Sequence, residues 1–124
     1  MKTQCAATTF MVSDIDKSLA FYKDVLGFTE DFRFGNYAGI NHGDVLVHLS
    51  QNGNPNSKPA GSGVMYIFCD EVDDFYHEIT AKGAKTQRPP QDYEYGMRDF
   101  IVEDPDGNLI GFGTQTKTPA VQNG

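Results

Sequence analysis

Two helix patterns placed 56 residues apart limit what this chain can fold into more than any other feature. In each pattern an aspartate, Asp14 or Asp70, precedes an apolar stripe at helical spacing, and a glycine, Gly27 or Gly83, follows it. An aspartate side chain can accept N–H groups of a first helical turn, and glycine suits the position after a last turn. The matched start and stop signals therefore predict a duplicated unit. The stripes are Ile15, Leu19, Tyr22 and Leu26, then Val72, Phe75, Tyr76 and Ile79.

Strand-like segments surround each predicted helix in the same order, one before it and three after it. This order predicts an α+β fold of two βαβββ modules, at about residues 5–50 and 63–114, in a single domain over residues 1–114. A connector rich in Asn, Gly, Pro and Ser occupies residues 51–62, and residues 115–124 are predicted to be a flexible tail. The acidic segment with Glu103, Asp104 and Asp106 is predicted to form a tight turn.

The net charge limits the classes of binding partner, and the apolar segments and cysteines indicate the cellular compartment. A formal net charge of −7 over 124 residues argues against general nucleic-acid binding and is compatible with a cationic ligand. No apolar run reaches membrane-spanning length and the N-terminus lacks a signal-peptide pattern, so a cytoplasmic location with no membrane partner is predicted. Cys5 and Cys69 lie in apolar strand-like segments without zinc-site spacing, which predicts buried free thiols.

Three segments of the chain resemble the vicinal oxygen chelate superfamily, which includes glyoxalase I, extradiol dioxygenases, fosfomycin resistance enzymes and bleomycin resistance proteins. These segments are VSDIDKSLAFY at 12–22, VLGF at 25–28 and EDPDG at 103–107, and the resemblance covers about residues 6–114. It implies that each βαβββ module curves into an incomplete barrel and that the two modules enclose a cleft. In metal-dependent members, up to four ligands stand in that cleft, on the first and fourth strands of each module.

The metal-ligand positions of the family fall here on Ala7, His48, Val64 and Gly111. Only His48 can bind a metal, whereas a catalytic divalent site normally needs about three protein ligands. The resemblance therefore implies a chain with no metal site, no cofactor and no catalytic residue taken over from the metal-dependent members.

Within the superfamily, the chain is most similar to the bleomycin resistance branch, on LGFTEDF at 26–32, YAG at 37–39 and Tyr95-Gly96. Members of that branch are dimers that sequester a flat cationic drug in clefts between subunits and catalyse nothing. The resemblance implies a homodimer and a small-molecule ligand of the bleomycin-like class. The chain has no tryptophan, and Tyr95 stands where a stacking tryptophan is expected, so another planar or aromatic ligand would also suit the pocket.

Aromatic stacking with a few polar anchors is the chemistry that such a site requires. Strand alternation places Val64, Tyr66 and Phe68 on one face and Leu46, His48 and Ser50 on another. The predicted ligand-binding residues are Phe32, Tyr37, His48, Ser50, Tyr66, Phe68, Tyr93, Tyr95 and Arg98. Plain structural roles stand beside this hypothesis: Phe32 and Phe68 can be core residues, and Arg98 and Asp99 can pair across strands.

Three functions remain open on the sequence. The first is a metal-free binding protein of the bleomycin resistance type. The second is an enzyme of the same superfamily, a lyase, isomerase or dioxygenase with an atypical site, in which His48, Glu103 or Tyr95 would exchange protons. The third is an accessory module that senses a ligand.

Overall fold

The computed structural model describes residues 1–116 and contains two compact units. The first unit comprises residues 1–63 together with the turn at 104–108. Within the described residues, the second unit comprises residues 64–103 and 109–116. Each unit contains one sheet and one main helix, which confirms the predicted α+β fold of two βαβββ modules.

The first unit follows the predicted order of elements. Strand β1 (Thr8–Val12) leads into helix α1 (Ile15–Ala20), which continues as a π-helical turn (Phe21–Val25). Strands β2 (Thr29–Phe34), β3 (Tyr37–His42) and β4 (Val45–Gln51) complete it. The sheet order is β1-β4-β3-β2, with β1 parallel to β4 and the other pairs antiparallel.

The second unit repeats this topology. Strand β5 (Val64–Phe68) precedes helix α2 (Val72–Ala81), and β6 (Lys85–Thr86), β7 (Gln91–Asp92), β8 (Met97–Glu103) and β9 (Leu109–Gln115) follow. The order β5-β9-β8-β6 reproduces the first sheet, with β5 parallel to β9. Strand β7 pairs with β8 and was not predicted, because two polar residues after Pro89-Pro90 carry no strand pattern.

The start of the second helix differs from the prediction. Asp14 caps α1 as expected, and its Oδ1 accepts the N–H of Lys17 at 3.1 Å. Asp70 does not cap α2. The capping position belongs to Glu71, which has a left-handed backbone with φ of 48° and makes no side-chain capping bond.

Equivalent capping positions, Asp14 and Glu71, are therefore 57 residues apart, whereas Gly27 and Gly83 are 56 apart. The π-helical turn accounts for this difference, since a π-turn places one more residue in the first helix.

Each unit has its own core between the helix and one face of its sheet. Apolar side chains alternate along the central strands, so every second residue meets the helix stripe. Full burial of a Val, Leu, Ile or Phe side chain contributes about 1.5–3 kcal/mol. The first core contains Phe10, Val12, Ile15, Leu19, Tyr22, Leu26, Phe28, Ala38, Ile40, Val47 and Leu49. The second contains Ile67, Val72, Ile79, Phe100, Val102, Ile110 and Phe112.

Several predicted boundaries move in the structure. Cys5 is exposed, contrary to the predicted burial, because β1 begins only at Thr8; Cys69 is half-buried, and both are free thiols. Residues 52–63 form turns without a helix or strand. Strand β9 includes Gln115, the first residue of the predicted tail, and Thr116 donates its backbone N–H to Gly96 at 3.0 Å. The rest of that tail, residues 117–124, lies outside the described residues.

No helix within residues 1–116 combines the length and the apolar character needed to cross a membrane.

Candidate functional site

The first unit carries an aromatic cluster on the sheet face opposite its core, which we name the first aromatic cluster: Phe32, Phe34, Tyr37 and His48. The rings of Phe32 and Tyr37 are nearly parallel with centroids 6.3 Å apart, and Phe32 meets His48 edge-on at 5.3 Å. The hydroxyl of Tyr37 and Nδ1 of His48 share a hydrogen bond of 2.8 Å. Phe34 is 76% exposed and extends the cluster into solvent.

Cross-strand register explains why these side chains meet. Phe32 pairs with Gly39, and Gly39 in turn pairs with His48 on the next strand. A Cβ at Gly39 would overlap the Phe32 ring, so the absence of a side chain there gives Phe32 its place. Ser50, also predicted in the site, is buried opposite Tyr37, and its Oγ accepts a hydrogen bond from the Asn54 amide at 3.1 Å. Ser50 therefore lies on the same sheet face as Tyr37 and His48, and its hydroxyl bonds Asn54.

The second unit carries a corresponding group, named here the second aromatic cluster: Tyr66, Phe68, Tyr93 and Tyr95. Tyr66 and Phe68 lie 5.1 Å apart on strand β5, and the rings of Tyr93 and Tyr95 stack at 5.3 Å with an interplanar angle of 2°. Phe68 is 77% exposed and Tyr95 is 56% exposed. Arg88 covers the Tyr93 ring with its guanidinium carbon 5.1 Å from the centroid, and its Nε donates to the Tyr93 hydroxyl.

A buried carboxylate joins the two halves of this second cluster. Asp99 Oδ2 accepts the hydroxyl of Tyr66 at 2.9 Å and that of Tyr95 at 2.8 Å, and Asp99 is only 4% exposed. Desolvation, together with the hydrogen bond to Asp99, raises the pKa of Tyr95 to about 12, and the same causes raise the pKa of Tyr66 further. Both phenols therefore remain neutral hydrogen-bond donors at physiological pH.

The list of predicted ligand-binding residues omitted Asp99. The predicted site includes its neighbour Arg98, but adjacent residues of a strand point to opposite faces, so the two cannot both face the cluster. The pairing of Asp99 with Gly113, on the face that Tyr66 covers, is the signal that could have identified it.

Arg98 lies on the other face of β8 and is not brought together with the tyrosines. Its guanidinium forms ion pairs with Asp73 at 3.0 Å and with Asp92 at 2.9 Å. Hydrogen bonds to these two carboxylates raise the pKa of Arg98 above its ordinary value. Arg98 thus ties helix α2 and strand β7 to β8, and we leave it out of the proposed site.

The family's metal-ligand positions do not fit a metal in this chain. Ala7 precedes β1, Val64 is exposed on β5, and Gly111 lies beneath the Tyr66 ring, so none of the three offers a donor atom. His48 is the remaining position, and its Nδ1 is bonded to Tyr37. Among residues 1–116, no three His, Cys, Asp or Glu side chains are grouped to hold a metal ion.

The acidic turn at 104–108 has a structural role within the first unit. Asp104 Oδ1 accepts the backbone N–H groups of Asp106 and Asn108, each at 2.9 Å, as in an Asx-type turn. Asp104 Oδ2 accepts the buried hydroxyl of Tyr22 at 3.0 Å, and Asp106 accepts both the N–H and the hydroxyl of Ser13. These carboxylates are engaged in holding the fold.

Comparison with known proteins gives consistent results. The family model for the Glyoxalase/Bleomycin resistance protein/Dioxygenase superfamily matches residues 4–112. A bleomycin resistance protein of Geobacillus stearothermophilus is 33% identical, over 86% of this chain and 93% of that protein. A probable lactoylglutathione lyase of Synechocystis sp. is 32% identical, over 83% of this chain and 88% of that protein.

Among solved structures, the bleomycin-binding protein of Streptomyces verticillus, complexed with copper(II)-bleomycin, superposes with a TM-score of 0.73 at 26% identity. The alignment covers 90% of this chain and 96% of that one. The match of the family model over nearly the whole described chain, the identity to curated members and the shared fold lead to one conclusion: this chain belongs to the Glyoxalase/Bleomycin resistance protein/Dioxygenase superfamily.

Proposed function

We propose that this protein is a binding protein of the bleomycin resistance type, which sequesters a cationic or aromatic small molecule in a cleft of a homodimer without chemical change. The proposal is based on the aromatic side chains that each unit exposes to solvent. Phe34, Phe68 and Tyr95 are more exposed than large aromatic side chains usually are in a folded protein. Exposed aromatic side chains of this kind indicate a site that binds a ligand or another protein.

The identity of 33% to a bleomycin resistance protein supports the choice of ligand class. A planar ring system can stack on Phe34 or Tyr95, and each such contact contributes about 0.5–1.5 kcal/mol beyond the area it buries. The acidic balance of the chain, −7, favours the approach of a cationic ligand over an anionic one.

Calorimetric titration of the purified protein with bleomycin tests the proposal. We expect saturable binding with a micromolar or lower dissociation constant. Phe34→Ala should weaken it roughly three- to tenfold, because a stacking ring is lost. Phe34→Tyr is the matched control, since it keeps the ring and should bind as the wild type does. Absence of saturable heat at micromolar drug would contradict the assignment of bleomycin.

A second candidate, a lyase or isomerase of the same superfamily, is favoured by the 32% identity to a probable lactoylglutathione lyase. It would need a site other than the family's metal positions, of which only His48 carries a donor. Elemental analysis of unchelated protein, with a turnover assay on hemithioacetal substrates, distinguishes the two functions. Stoichiometric zinc, nickel, manganese or iron together with turnover would favour the enzyme.

A further inference from the structure

Asp99 has an unusual environment for a buried carboxylate. Its Oδ2 takes two phenolic hydrogen bonds, whereas its Oδ1 receives none from residues 1–116 and is not closed off from solvent. None of the ion pairs in the described part of the chain includes Asp99, although Arg88 and Arg98 belong to the same unit. Within residues 1–116, Asp99 is therefore a largely buried carboxylate without a cationic partner.

Such an arrangement is costly in a folded protein unless a partner supplies positive charge. A carboxylate largely removed from water loses hydration energy, and two neutral hydroxyl donors replace only part of it. The tyrosines add no negative charge, because both hydroxyls remain protonated. The unpaired negative charge of Asp99 can thus attract a cation that approaches Oδ1.

The surroundings of Oδ1 narrow the chemistry of that partner. Tyr66 and Tyr95 contact the carboxylate through their hydroxyls, Phe68 lies 5.1 Å from the Tyr66 ring, and aromatic faces attract cations. Ring faces alone would accept any cation, including one without N–H groups. The free oxygen adds a preference for a cation that can donate a hydrogen bond.

We propose that Asp99 is the anchor for the ligand's positively charged nitrogen, a primary ammonium or a guanidinium carried close to an aromatic ring. This inference rests on the proposed function, because it names the group of the ligand that the second aromatic cluster selects. Tyr66 and Tyr95 are positioning residues that hold the carboxylate, and their rings, with Phe68, hold the aromatic part of the ligand.

A pair of small probes of equal shape tests the anchor directly. The protein is titrated at neutral pH with 2-phenylethylammonium and, separately, with 2-phenylethanol, and NMR shifts of Tyr66, Tyr95 and Asp99 are followed. We expect the ammonium to bind about tenfold more tightly or better, as a charge-assisted hydrogen bond implies. Equal affinity of the two probes would overturn the proposal.

Two variants locate the charge that is responsible. Asp99→Asn should remove the preference for ammonium and leave the weaker binding of the alcohol in place. Glu94→Gln is the matched control, because Glu94 is an exposed carboxylate between Tyr93 and Tyr95. The anchor would be overturned if the preference for the ammonium over the alcohol survives in Asp99→Asn, or if Glu94→Gln reduces it as much as Asp99→Asn does. Either result would indicate attraction by the overall negative charge of the protein.

If Asp99→Asn does not fold, an NMR titration of the wild-type protein tests the anchor. Titration with the ammonium must then shift the side-chain carboxyl carbon signal of Asp99 more than that of Asp92, whose carboxylate is paired with Arg98. A larger shift supports the anchor and an equal shift contradicts it.

Failure of the anchor and failure of the proposed function give different results. Tight binding of bleomycin that Asp99→Asn leaves unchanged would overturn the anchor alone. A retained preference for ammonium without any binding of bleomycin would overturn the drug assignment and support the anchor.

Discussion

Tyr22 shows how much one buried polar group contributes to this fold. Its ring lies in the core of the first unit against Phe10 and Phe28, and its hydroxyl donates to Asp104 Oδ2. Asp104 also accepts the side-chain amide of Asn108 at 2.8 Å, so its buried oxygen keeps a partner even without Tyr22. The hydrogen bond therefore adds to stability without being the sole support of the turn.

Tyr22→Phe is expected to lower the free energy of unfolding by about 1.5–3 kcal/mol at neutral pH, the typical value for a hydrogen bond to a charged group. Urea denaturation followed by circular dichroism measures the change. Tyr76→Phe is the control, because the Tyr76 hydroxyl has no hydrogen-bond partner among residues 1–116. A loss for Tyr22→Phe no larger than that for Tyr76→Phe would contradict the assigned role.

The same tyrosine predicts a loss of stability in alkali. Burial, then the charge of Asp104, raises the pKa of Tyr22 above its ordinary value of 10.0. Above about pH 10 the unfolded chain loses this proton while the folded protein keeps it, so the free energy of unfolding falls as pH rises. The decline should be shallower in Tyr22→Phe by up to about 1.4 kcal/mol per pH unit. Equal slopes in both proteins would be inconsistent with a buried neutral phenol.

Gly113 determines where Tyr66 can lie. A Cβ at Gly113 would overlap the Tyr66 hydroxyl, and one at Gly111 would stand 3.0 Å from the same ring. Gly113→Ala is expected to displace Tyr66 from Asp99 and to cost about 1–3 kcal/mol of stability, as overpacking does. The cost should be smaller in a Tyr66→Phe background, where the overlapping oxygen is gone. Equal costs in both backgrounds, measured by a double-mutant cycle, would exclude this contact as the cause.

At the level of elements, the two helices start in different ways although their units share one topology. Helix α1 has a side-chain cap from Asp14, whereas α2 starts at Glu71 in a left-handed conformation without one. A residue with a Cβ in that conformation is disfavoured by roughly 1–2 kcal/mol. The second helix therefore begins at a strained residue that the first does not have.

Glu71→Gly is expected to raise the free energy of unfolding by about 0.5–1 kcal/mol, because relief of the left-handed strain exceeds the entropy that glycine adds to the unfolded chain. Thermal or urea denaturation measures this increase in the free energy of unfolding. Glu78→Gly, in the interior of the same helix, serves as the opposite control and should destabilise by about 1 kcal/mol. Destabilisation by both substitutions would contradict strain at Glu71.

For the molecule as a whole, net charge and exposed apolar surface point to association with other molecules. The chain carries a formal charge of −7, and its most exposed apolar side chains occur in both units. Cationic ligands and a second copy of the chain are the partners that these two properties favour.

Binding of a cationic ligand is expected to weaken as salt rises from about 0.05 M to 0.5 M, because the screening length shortens severalfold. The association rate from stopped-flow fluorescence should carry most of this change, while the affinity of a neutral aromatic analogue stays constant. A cationic ligand insensitive to salt would argue against long-range attraction by the acidic surface.

We also predict a homodimer, because Phe34, Val64 and Phe68, at 76%, 72% and 77% exposure, are costly to leave in water. Sedimentation equilibrium at tens of micromolar should give twice the chain mass of 13.7 kDa. Phe68→Ser with Val64→Ser should weaken self-association, whereas the exposed Glu94→Gln should not. A monomer at every concentration would contradict the dimer.

Sequence periodicity predicted the repeated modules, the Asp14 cap and the two glycine stops, because these signals depend on residues only a few positions apart. Resemblance to the superfamily indicated the candidate aromatic residues and the positions at which metal-dependent members hold their metal. Phe32, Tyr37 and His48 do lie together, as do Tyr66, Phe68, Tyr93 and Tyr95. Their role in binding stays a prediction.

Tertiary structure decided which of two neighbouring charged residues stands among the aromatic side chains. Sequence alone identified Arg98 and Asp99 as adjacent on one strand, and a shift of one residue reverses the face of every side chain. The register of β8 against β9 directs Asp99 to the face that holds Tyr66 and Arg98 to the opposite one. That register depends on strand pairing, the contacts of Gly113 and the ion pairs of Arg98, all of which join residues distant in the chain.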